Sequence, residues 1–223
     1  MIINKLLLII VLLFIVSCSS VPDNVAGNWK YSFGAIKGAV FGYEDYPLTR
    51  ELVDNIPYAS MRLKIGKGSA GLLILETKND DINTWVSSDE VRIVEKNGHI
   101  IRTMGLPNNL TSVRSPETNF LDLVEKAEIK NFKSFISLDN PQVFELKLNV
   151  RIIHEGVELV EILDKKYSLI HFIIEKENKY IRWKSMDHYW ISPEDGFVWK
   201  SIQNISPDSP PFIMEVTKKP TVN

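Results

Sequence analysis

Apolar and polar residues alternate along most of the chain after Tyr58, as they do in strands that bury one face and expose the other. The first of these segments places Ala59, Met61, Leu63 and Ile65 on one face. Twelve more segments follow at 72–77, 84–87, 91–95, 100–104, 132–137, 143–153, 157–163, 168–176, 180–186, 189–191, 197–202 and 212–216. Short strands that recur between turn residues predict an antiparallel meander and not βαβ units.

Turn residues mark several of the expected connections. Asn97-Gly98 lies between two alternating segments and predicts a type I′ hairpin, because both central residues of that turn need positive φ. Glu155-Gly156, Glu177-Asn178 and Asp195-Gly196 predict further turns. Residues 66–71 match G-x-G-x-x-G by letter, but a strand pattern follows them instead of the helix that a dinucleotide site needs. A glycine-rich hairpin turn is therefore the favoured interpretation of 66–71.

Three segments have helical spacing. The first covers 25–40 and is capped by Asp23 or Asn24, the second covers 49–53 and ends before Pro57, and the third is an insert at 119–131. The fold class is predicted to be mainly β: a large antiparallel meander that forms a curved sheet, a sandwich or an incomplete barrel, with short N-terminal helices and one helical insert. We expect the helical segment before Tyr58 to cover one edge of the sheet.

The first twenty residues have the pattern of an export signal. One basic residue, Lys5, precedes an unbroken apolar segment of eleven residues at 6–16, which is much shorter than the ~20 residues needed to span a bilayer. Residues 15–18, Ile-Val-Ser-Cys, then resemble the bacterial lipobox. This resemblance implies cleavage before Cys18 by signal peptidase II and acylation of Cys18. The alternative is a conventional signal peptide that is followed by an incidental thiol.

The predicted organisation is a lipoprotein signal peptide at 1–17, a lipidated tether at 18–23 and a single β-rich domain at 24–223. Each buried methylene of an acyl chain contributes ~0.8 kcal/mol, so several chains hold a protein persistently on its membrane. Ser19, and not Asp, follows the cysteine, which resembles lipoproteins that are sent on to the outer membrane. We expect a protein of the cell outer membrane that is anchored in lipid through Cys18 and faces the periplasm.

Charge and cysteine content exclude some classes of protein. The 223 residues carry a formal net charge of −2 and have a pI near 6.1, so the chain lacks the basic field that holds nucleic acid. Cys18 is the single cysteine. Because acylation consumes it, no disulfide remains, and burial of apolar surface has to stabilise the domain. Nothing in the pattern predicts a cofactor.

Candidate catalytic and metal-binding residues are scattered along the chain. The four histidines lie on separate predicted strands without i, i+4 pairing, so a metal site is disfavoured: His99, His154, His171 and His188. The adjacent acidic residues at 80–81, 89–90 and 194–195 would face opposite sides of a strand, whereas a glycosidase needs two facing carboxyls. Solvated acidic turns are the better interpretation. We predict no catalytic residue and no metal ligand.

Aromatic residues are concentrated in the last predicted strands. They are Trp183, Tyr189, Trp190, Phe197 and Trp199. Rings of this kind pack on the apolar faces of sugars, but most aromatic residues on strands belong to the core. Core packing is the favoured interpretation. The alternative is that Trp183, Tyr189, Trp190 and Trp199 contact a glycan or a protein partner.

Several segments resemble the YjbF family, which includes the group 4 capsule polysaccharide lipoproteins. The segments are YASMRLKIG (58–66), TWVS (84–87), NGHIIRTMGL (97–106), YWISPEDGFVWKS (189–201) and IMEVTKKP (213–220). The resemblance extends over most of the chain after the lipobox, although 119–179 contributes little to it. His99 departs from the family pattern, in which Arg or Lys is common at this position.

The resemblance implies an outer-membrane lipoprotein that is encoded among exopolysaccharide or capsule assembly genes, with a large antiparallel β domain and no catalytic residue to transfer. The matched residues Asn97, Gly98, Gly105, Pro193 and Gly196 form turns or strand ends, so they describe a scaffold. The expected function is that of a nonenzymatic accessory of exopolysaccharide or capsule assembly and export, acting as an adaptor or a glycan-contacting platform. Its expected partners are other envelope proteins of polysaccharide secretion, and polysaccharide itself.

Two further functions stay open at this point. A curved antiparallel sheet can enclose an apolar pocket, so the domain is alternatively a lipid- or acyl-chain-binding module of the cell envelope. The third hypothesis is a periplasmic polysaccharide hydrolase, which requires two carboxyls that face each other in a cleft.

Overall fold

The computed structural model describes most of the chain from Asp45 onward, namely residues 45, 47–126 and 129–221. The chain divides into two units, Met1–Tyr43 and Glu44–Asn223, and the described residues belong to the second unit. The predictions that fall on residues 1–40, including the lipidation of Cys18 and the first helix, lie outside the described residues.

Twelve antiparallel strands of the described residues form one nearly closed, barrel-like sheet, which confirms the mainly β fold class. The strands are β1 (Ser60–Ile65), β2 (Gly71–Asn79), β3 (Ile82–Val86), β4 (Arg92–Lys96), β5 (His99–Met104), β6 (Leu110–Arg114), β7 (Lys130–Asp139), β8 (Gln142–Ile162), β9 (Lys165–Asn178), β10 (Trp183–Ile191), β11 (Val198–Gln203) and β12 (Phe212–Lys218). Their spatial order is β5-β4-β3-β2-β1-β12-β11-β10-β9-β8-β7-β6. Neighbours along the chain therefore pair, with the exception of β5 and β6, and β1 pairs with β12 in the middle of the sheet.

The sheet ends in β5 and β6, which meet without a strand ladder between them. Side chains join the two strands instead: the backbone N–H of Leu110 donates to Thr103 Oγ1 over 2.9 Å, and Arg102 Nε donates to the carbonyl oxygen of Thr111 over 3.1 Å. We call this junction the β5–β6 seam. Because an open strand edge is a template for unwanted pairing, placing the two edges against each other protects both of them.

The core lies on the inner face of the sheet. Ile170, Phe172 and Ile174 alternate along β9 and are buried, and Leu148 and Val150 are buried in the same way on β8. Successive side chains of a strand point to opposite faces. The period-two pattern of the sequence therefore correctly predicts which side chains of these strands fill the interior.

Two short helices accompany the sheet in the described part of the chain, and neither has the length and hydropathy of a membrane span. The first, α1 (Arg50–Asn55), begins after Thr49, whose side chain accepts a hydrogen bond of 3.2 Å from the backbone N–H of Leu52. It ends at Ile56, directly before Pro57, as the sequence predicts.

The helix α1 does not cover an edge strand, contrary to the expectation for this segment. The Arg50 guanidinium donates to the carbonyl oxygens of Ile162 and Leu163 at the tip of the β8–β9 hairpin and to that of Thr217 on β12, over 2.8–3.2 Å. The helix α1 is therefore attached to a central strand and to a hairpin tip. Arg50 reaches these carbonyls because a guanidinium presents several donors in a fixed fork.

The helical insert is shorter than predicted. The second helix, α2 (Phe120–Lys126), is followed by β7, which begins at Lys130, so the last two residues of the predicted insert belong to a strand. Lys130 pairs with Ile152 of β8, and this ladder overrides the local helical pattern. Phe120 and Leu123 of α2 are buried, as their spacing predicted.

Two β-bulges account for other differences. The strand β6 was not predicted, because its apolar residues Leu110 and Val113 are three positions apart, and a register shift between Leu110 and Ser112 produces that spacing. Glu155-Gly156 is not a turn: it lies within β8 at a bulge opposite His171, where Gly156 has a φ of +117°. Glycine admits this conformation, so the strand continues through it to Ile162.

The turn predicted at Glu177-Asn178 lies slightly later. Both residues end β9, and the turn follows because Asn178 Oδ1 accepts from the backbone N–H groups of Tyr180 (2.9 Å) and Ile181 (3.2 Å). The strand predicted at 180–186 accordingly begins at Trp183 and continues through 189–191 as the single strand β10. The turns at 66–71, Asn97-Gly98 and Asp195-Gly196 are confirmed.

Candidate functional site

A cavity of about 540 Å³ opens at the end of the sheet where the β2–β3, β4–β5 and β10–β11 turns meet the start of α2. We call it the polar cavity. Side chains with hydrogen-bonding groups and aromatic rings line it together: Asp81, Asn83, Trp85, Glu95, Asn97, Asp195, Phe197, Trp199 and Lys219. Its volume lies within the range of about 300–1,000 Å³ that is typical of small-molecule sites.

The carboxylate at the base of the polar cavity belongs to Glu95, which is 6 % exposed. Its Oε1 accepts from Asn83 Nδ2 (2.6 Å) and from Trp85 Nε1 (3.4 Å), and its Oε2 accepts from the backbone N–H of Gly98 (2.5 Å). Burial raises the pKa of Glu95, against the opposing effect of these hydrogen bonds. Glu95 therefore fixes the β4–β5 turn and orients Asn83.

Asn83 brings an unsatisfied acceptor to the polar cavity. Its Nδ2 is used by Glu95, while its Oδ1 is buried and has no hydrogen-bond partner in the described residues. Buried polar atoms in native proteins normally have a partner, and an orphaned one is costly. Asn83 Oδ1 is thus an orphaned acceptor that is enclosed by protein in the wall of the polar cavity.

Trp199 forms the aromatic side of the polar cavity. It is the extra residue of a bulge in β11, because Trp190 pairs with Lys200 while Ile191 pairs with Val198. Its ring stacks on Tyr167 at a centroid distance of 4.6 Å and meets Phe197 edge-on at 5.1 Å. The side chain stays partly exposed. The bulge thus turns an indole toward the opening that a regular strand would place elsewhere.

Cations and carboxylates surround this aromatic group. Lys219 Nζ lies 4.4 Å from the centroid of Phe197 and is paired with Asp195. The bond to Lys219 is one of several contacts that keep the pKa of Asp195 below its usual value, against the effect of its burial. The mouth of the polar cavity therefore presents both signs of charge beside aromatic faces.

Aromatic rings of α2, β5, β9 and β10 pack together beside the polar cavity. Phe120 of α2 stacks on His99 at a centroid distance of 5.2 Å and contacts Phe172 (4.9 Å) and Tyr189 (5.4 Å). His99 Nδ1 and the Tyr189 hydroxyl are 2.9 Å apart. Burial, together with the charge of Lys176, lowers the pKa of His99 to about 4, and burial raises the pKa of Tyr189. Both groups are thus neutral at physiological pH.

A buried ion pair lies beside these rings. Lys176 Nζ is 2.6 Å from Asp187 Oδ2, and the two side chains are 15 % and 4 % exposed. Lys176 Nζ also donates to the carbonyl oxygen of Asn204 (2.5 Å), and Asp187 Oδ1 accepts from the backbone N–H of Asn204 (2.9 Å). Both charges are therefore compensated inside the protein, which is the condition for burying them.

A cluster of hydrogen-bonded side chains lies on the outer face of β8, β9 and β10. The ring of Trp190 stacks on His171 at 4.7 Å with a 4° interplanar angle, and its Nε1 donates to Glu158 Oε2 over 2.7 Å. His171 Nδ1 is 2.8 Å from Glu158 Oε1, and His171 Nε2 is 3.0 Å from His188 Nδ1. The bond from Trp190 and the neighbouring histidines lower the pKa of Glu158.

The structure places the four aromatic residues that sequence reasoning selected in different environments. Tyr189 is 2 % exposed inside the sheet, and Trp190 is 9 % exposed on its outer face. Trp183 is half-buried against the core, and Lys176 Nζ lies 5.9 Å from its ring. Of the four, Trp199 lines the polar cavity. Contact of these residues with a glycan or a partner stays a prediction.

The acidic pairs take the places that the sequence suggested, whereas two of the four histidines come together. The acidic pairs at 80–81, 89–90 and 194–195 lie in turns between strands. Among residues 45, 47–126 and 129–221, no group of three or more His, Asp or Glu side chains is placed to hold a metal ion. His171 and His188, on neighbouring strands, form a pair without a third ligand.

Sequence reasoning missed Asn83, Glu95 and the pair formed by Lys176 and Asp187. A signal for three of them was present, because alternation places Glu95 on the face of Ile93, and Asp187 and Lys176 on the buried faces of β10 and β9. A charged residue at an inward strand position therefore indicates a buried polar contact in the same way that an aromatic residue indicates the core. The orphaned oxygen of Asn83 has no such signal.

Comparison with known proteins agrees with this architecture. Residues 33–217 match the family model described as "Group 4 capsule polysaccharide lipoprotein gfcB, YjbF". The uncharacterized lipoprotein GfcB of Escherichia coli (strain K12) is 25% identical over 110 residues, and the uncharacterized lipoprotein YjbF of the same organism is 26% identical over 108 residues. These alignments cover 49% and 48% of this chain and 48% of each relative, so the aligned part spans about half the length of both.

A solved structure shows the same fold. The crystal structure of the hypothetical lipoprotein YmcC from Escherichia coli (K12) superposes with a TM-score of 0.70 at 19% identity, covering 84% of this chain and 96% of YmcC. The family match extends over the described sheet up to Thr217 and includes the residues that line the polar cavity except Lys219 and Pro220. The resemblance found in the sequence is thereby confirmed, and the chain belongs to the YjbF family of group 4 capsule polysaccharide lipoproteins.

Proposed function

We propose that this protein is an outer-membrane lipoprotein that faces the periplasm and serves as a nonenzymatic accessory of capsule or exopolysaccharide assembly, with the polar cavity as its glycan-contacting site. Acylation of Cys18 holds it at the envelope, where it also contacts other proteins of polysaccharide secretion. The proposal follows from the family, whose description names capsule polysaccharide, and from the chemistry of the cavity.

The observation that carries the proposal is the combination of Trp199 with Asn83 in one cavity. Sugars have apolar faces that pack on aromatic rings, and hydroxyls that pair with amide and carboxylate groups. Trp199 offers a partly exposed ring, and the Asn83 amide lies in the wall of the same cavity. Mixed charges at Asp195 and Lys219 add donors and acceptors at the mouth.

One carboxylate of the polar cavity, that of Glu95, is unavailable for bond breaking. Both oxygens of Glu95 are engaged by Asn83, Trp85 and Gly98. A general acid or nucleophile has to reach the scissile bond, whereas Glu95 is committed to holding a turn.

Replacing Trp199 by alanine should weaken glycan binding by about tenfold. Aromatic contacts contribute about 0.5–1.5 kcal/mol beyond buried area, and ~1.4 kcal/mol corresponds to a tenfold change in Kd. The measurement is isothermal titration with oligosaccharides that are released from the capsular polysaccharide of the producing strain. Asn83→Ala should weaken the same binding, because it removes an amide from the wall of the cavity and the hydrogen bond that this amide donates to Glu95.

Trp183→Ala is the matched control. It truncates another half-buried indole of the sheet, on β10, so it should reduce stability in a similar way but leave glycan affinity unchanged. Equal losses of affinity for Trp183→Ala and Trp199→Ala, or no binding by the wild type, would reject the polar cavity as the glycan site.

Replacing Cys18 by alanine should release the protein from membranes and abolish polysaccharide export while the sheet still folds. The reason is that anchoring rests on acyl chains at ~0.8 kcal/mol per buried methylene, and the variant has none. Mass spectrometry of the mature chain, membrane fractionation and a crosslinking pulldown test this directly.

The control for this experiment is Ser20→Ala, which lies two residues beyond the lipid attachment point and should stay acylated and active. Normal export by a soluble, unacylated Cys18→Ala protein would show that anchoring is not required. A mature wild-type chain with a free thiol would refute the acylation itself.

A further inference from the structure

A second cavity adjoins the aromatic cluster of Phe120, His99 and Tyr189 and is lined by two of these residues, His99 and Tyr189. It has a volume of about 390 Å³. We call it the apolar cavity, because aliphatic side chains of β5 to β9 dominate its wall: Ile100, Leu110, Ile136, Leu148, Val150, Ile152 and Ile174. These side chains are all at most 5 % exposed, so the cavity lies within the hydrophobic core.

A space of this size is not an ordinary packing defect. Protein interiors are packed as densely as organic crystals, and their voids are few and seldom larger than a water molecule. Empty apolar cavities bind apolar molecules more readily than water. A volume of about 390 Å³ matches a ligand site, and small β-barrels use their interior in this way. The wall therefore points to an apolar occupant.

The polar side chains at the inner end of the cavity are already paired within the protein, so the occupant need not carry a charge. Lys176 and Asp187 line this end, but they compensate each other at 2.6 Å and use Asn204 for their remaining bonds. The Gln203 amide is likewise occupied, by the backbone of Gly98 and Ile100. An uncharged hydrocarbon end can therefore lie against this region without leaving a polar group unpaired.

The outer end opens along the β5–β6 seam. Ile101 of β5 and Val113 of β6 line the cavity from the two unpaired edges, and Arg114, Glu117 and Lys96 surround its mouth. Lys96 is paired with Glu117 (2.6 Å), and Arg114 with Glu145 (2.9 Å). A charged rim around an apolar interior suits a molecule whose hydrocarbon part enters and whose polar head stays in water.

We propose that the apolar cavity binds one acyl chain of an amphiphile, which enters through the β5–β6 seam and leaves its polar head at the rim of Lys96 and Arg114. The two cavities share Asn97, Glu117 and Thr118 in their walls, but the aliphatic wall of the apolar cavity and Trp199 of the polar cavity belong to one cavity each. A free fatty acid and a membrane phospholipid offer the same acyl chemistry, and the experiment below distinguishes them.

The test uses photoaffinity labelling of the full chain in isolated membranes. A diazirine fatty acid and a diazirine phosphatidylethanolamine are added separately and activated, and mass spectrometry identifies the labelled peptides. We expect labelling on β7 and β8 within the wall of the cavity. Val150→Phe, which fills the cavity from β8, should reduce that labelling by about tenfold, as should Ile136→Phe on β7.

Val157→Phe is the matched control, because it adds the same side chain on β8 at a position that is 66 % exposed. It should be labelled like the wild type. Trypsin resistance of each variant in the same membranes shows whether the fold is kept. Because the two filling substitutions lie on different strands, the test can still be read if one of the two variants unfolds.

Labelling with either probe supports the site. Labelling with one probe alone identifies the source of the acyl chain, and labelling with both shows that the site accepts a free fatty acid and a phospholipid. Labelling that is confined to surface peptides, or undiminished labelling of the cavity wall in both folded filling variants, would overturn the proposal. Loss of glycan binding by Trp199→Ala has no bearing on this outcome, so the two sites fail or succeed separately.

Discussion

Replacing Asp187 by alanine should destabilise the domain by about 3–5 kcal/mol, because it leaves the charge of Lys176 buried without its partner. The Asp187 carboxylate is 4 % exposed and lies 2.6 Å from Lys176 Nζ. It also accepts from the backbone N–H and side chain of Asn204, so these donors lose their acceptor as well. Urea unfolding, followed by tryptophan fluorescence, measures the change.

A double variant of this ion pair tests the cause of the loss, and an exposed ion pair elsewhere serves as the control. Lys176→Met combined with Asp187→Leu removes both charges and should recover most of the lost stability, since apolar replacements of buried pairs are often neutral or stabilising. Glu175→Ala breaks the exposed pair with Arg151, whose side chains are 44–49 % exposed, and should cost under ~1 kcal/mol. Similar losses for Asp187→Ala and Glu175→Ala would contradict the burial argument.

Replacing Gly98 by alanine should destabilise the domain by about 2–5 kcal/mol. Gly98 has a φ of +81°, and an added Cβ would lie 2.4 Å from Val198 Cγ2. A left-handed conformation costs a residue with a Cβ about 1–2 kcal/mol, and overpacking adds about 1–3 kcal/mol. Thermal or urea unfolding measures the loss.

A double-mutant cycle separates the two causes. Val198→Gly removes every side-chain atom of Val198 that the added Cβ would overlap, its Cβ included, so Gly98→Ala should cost less in that background and the remaining loss reflects the backbone alone. Gly71→Ala is the control, because no atom lies within 4 Å of its Cβ position. An additive cycle would show that the contact with Val198 does not limit stability.

The sequence predicts the sheet well wherever local chemistry determines it. Asn97-Gly98 is a type I′ signal, and the structure gives both residues positive φ, +49° and +81°. Prediction fails where the ladder departs from period two. The register shifts at Leu110 and at Gly156 hide a strand in one case and imitate a turn in the other, and neither shift can be inferred without the partner strand.

The candidate site is less accessible to sequence reasoning, because its residues come together through register. Asn83 and Glu95 are paired across β3 and β4, while Trp199 reaches the same cavity from β11 through a bulge. Tryptophan on a strand predicts burial equally well for Trp190 and Trp199, although one packs against His171 and the other faces the polar cavity. Spatial neighbours decide which ring is free to bind.

The contacts of Asp45 and Arg50 decide which strands a pull on the chain ahead of them would load first. Asp45 is paired with Arg62 and Lys64 of β1, and the Arg50 guanidinium is bonded to β12 and to the tip of the β8–β9 hairpin. Since β1 and β12 are neighbours in the middle of the sheet, we expect such a pull to be borne there before it reaches the β5–β6 seam.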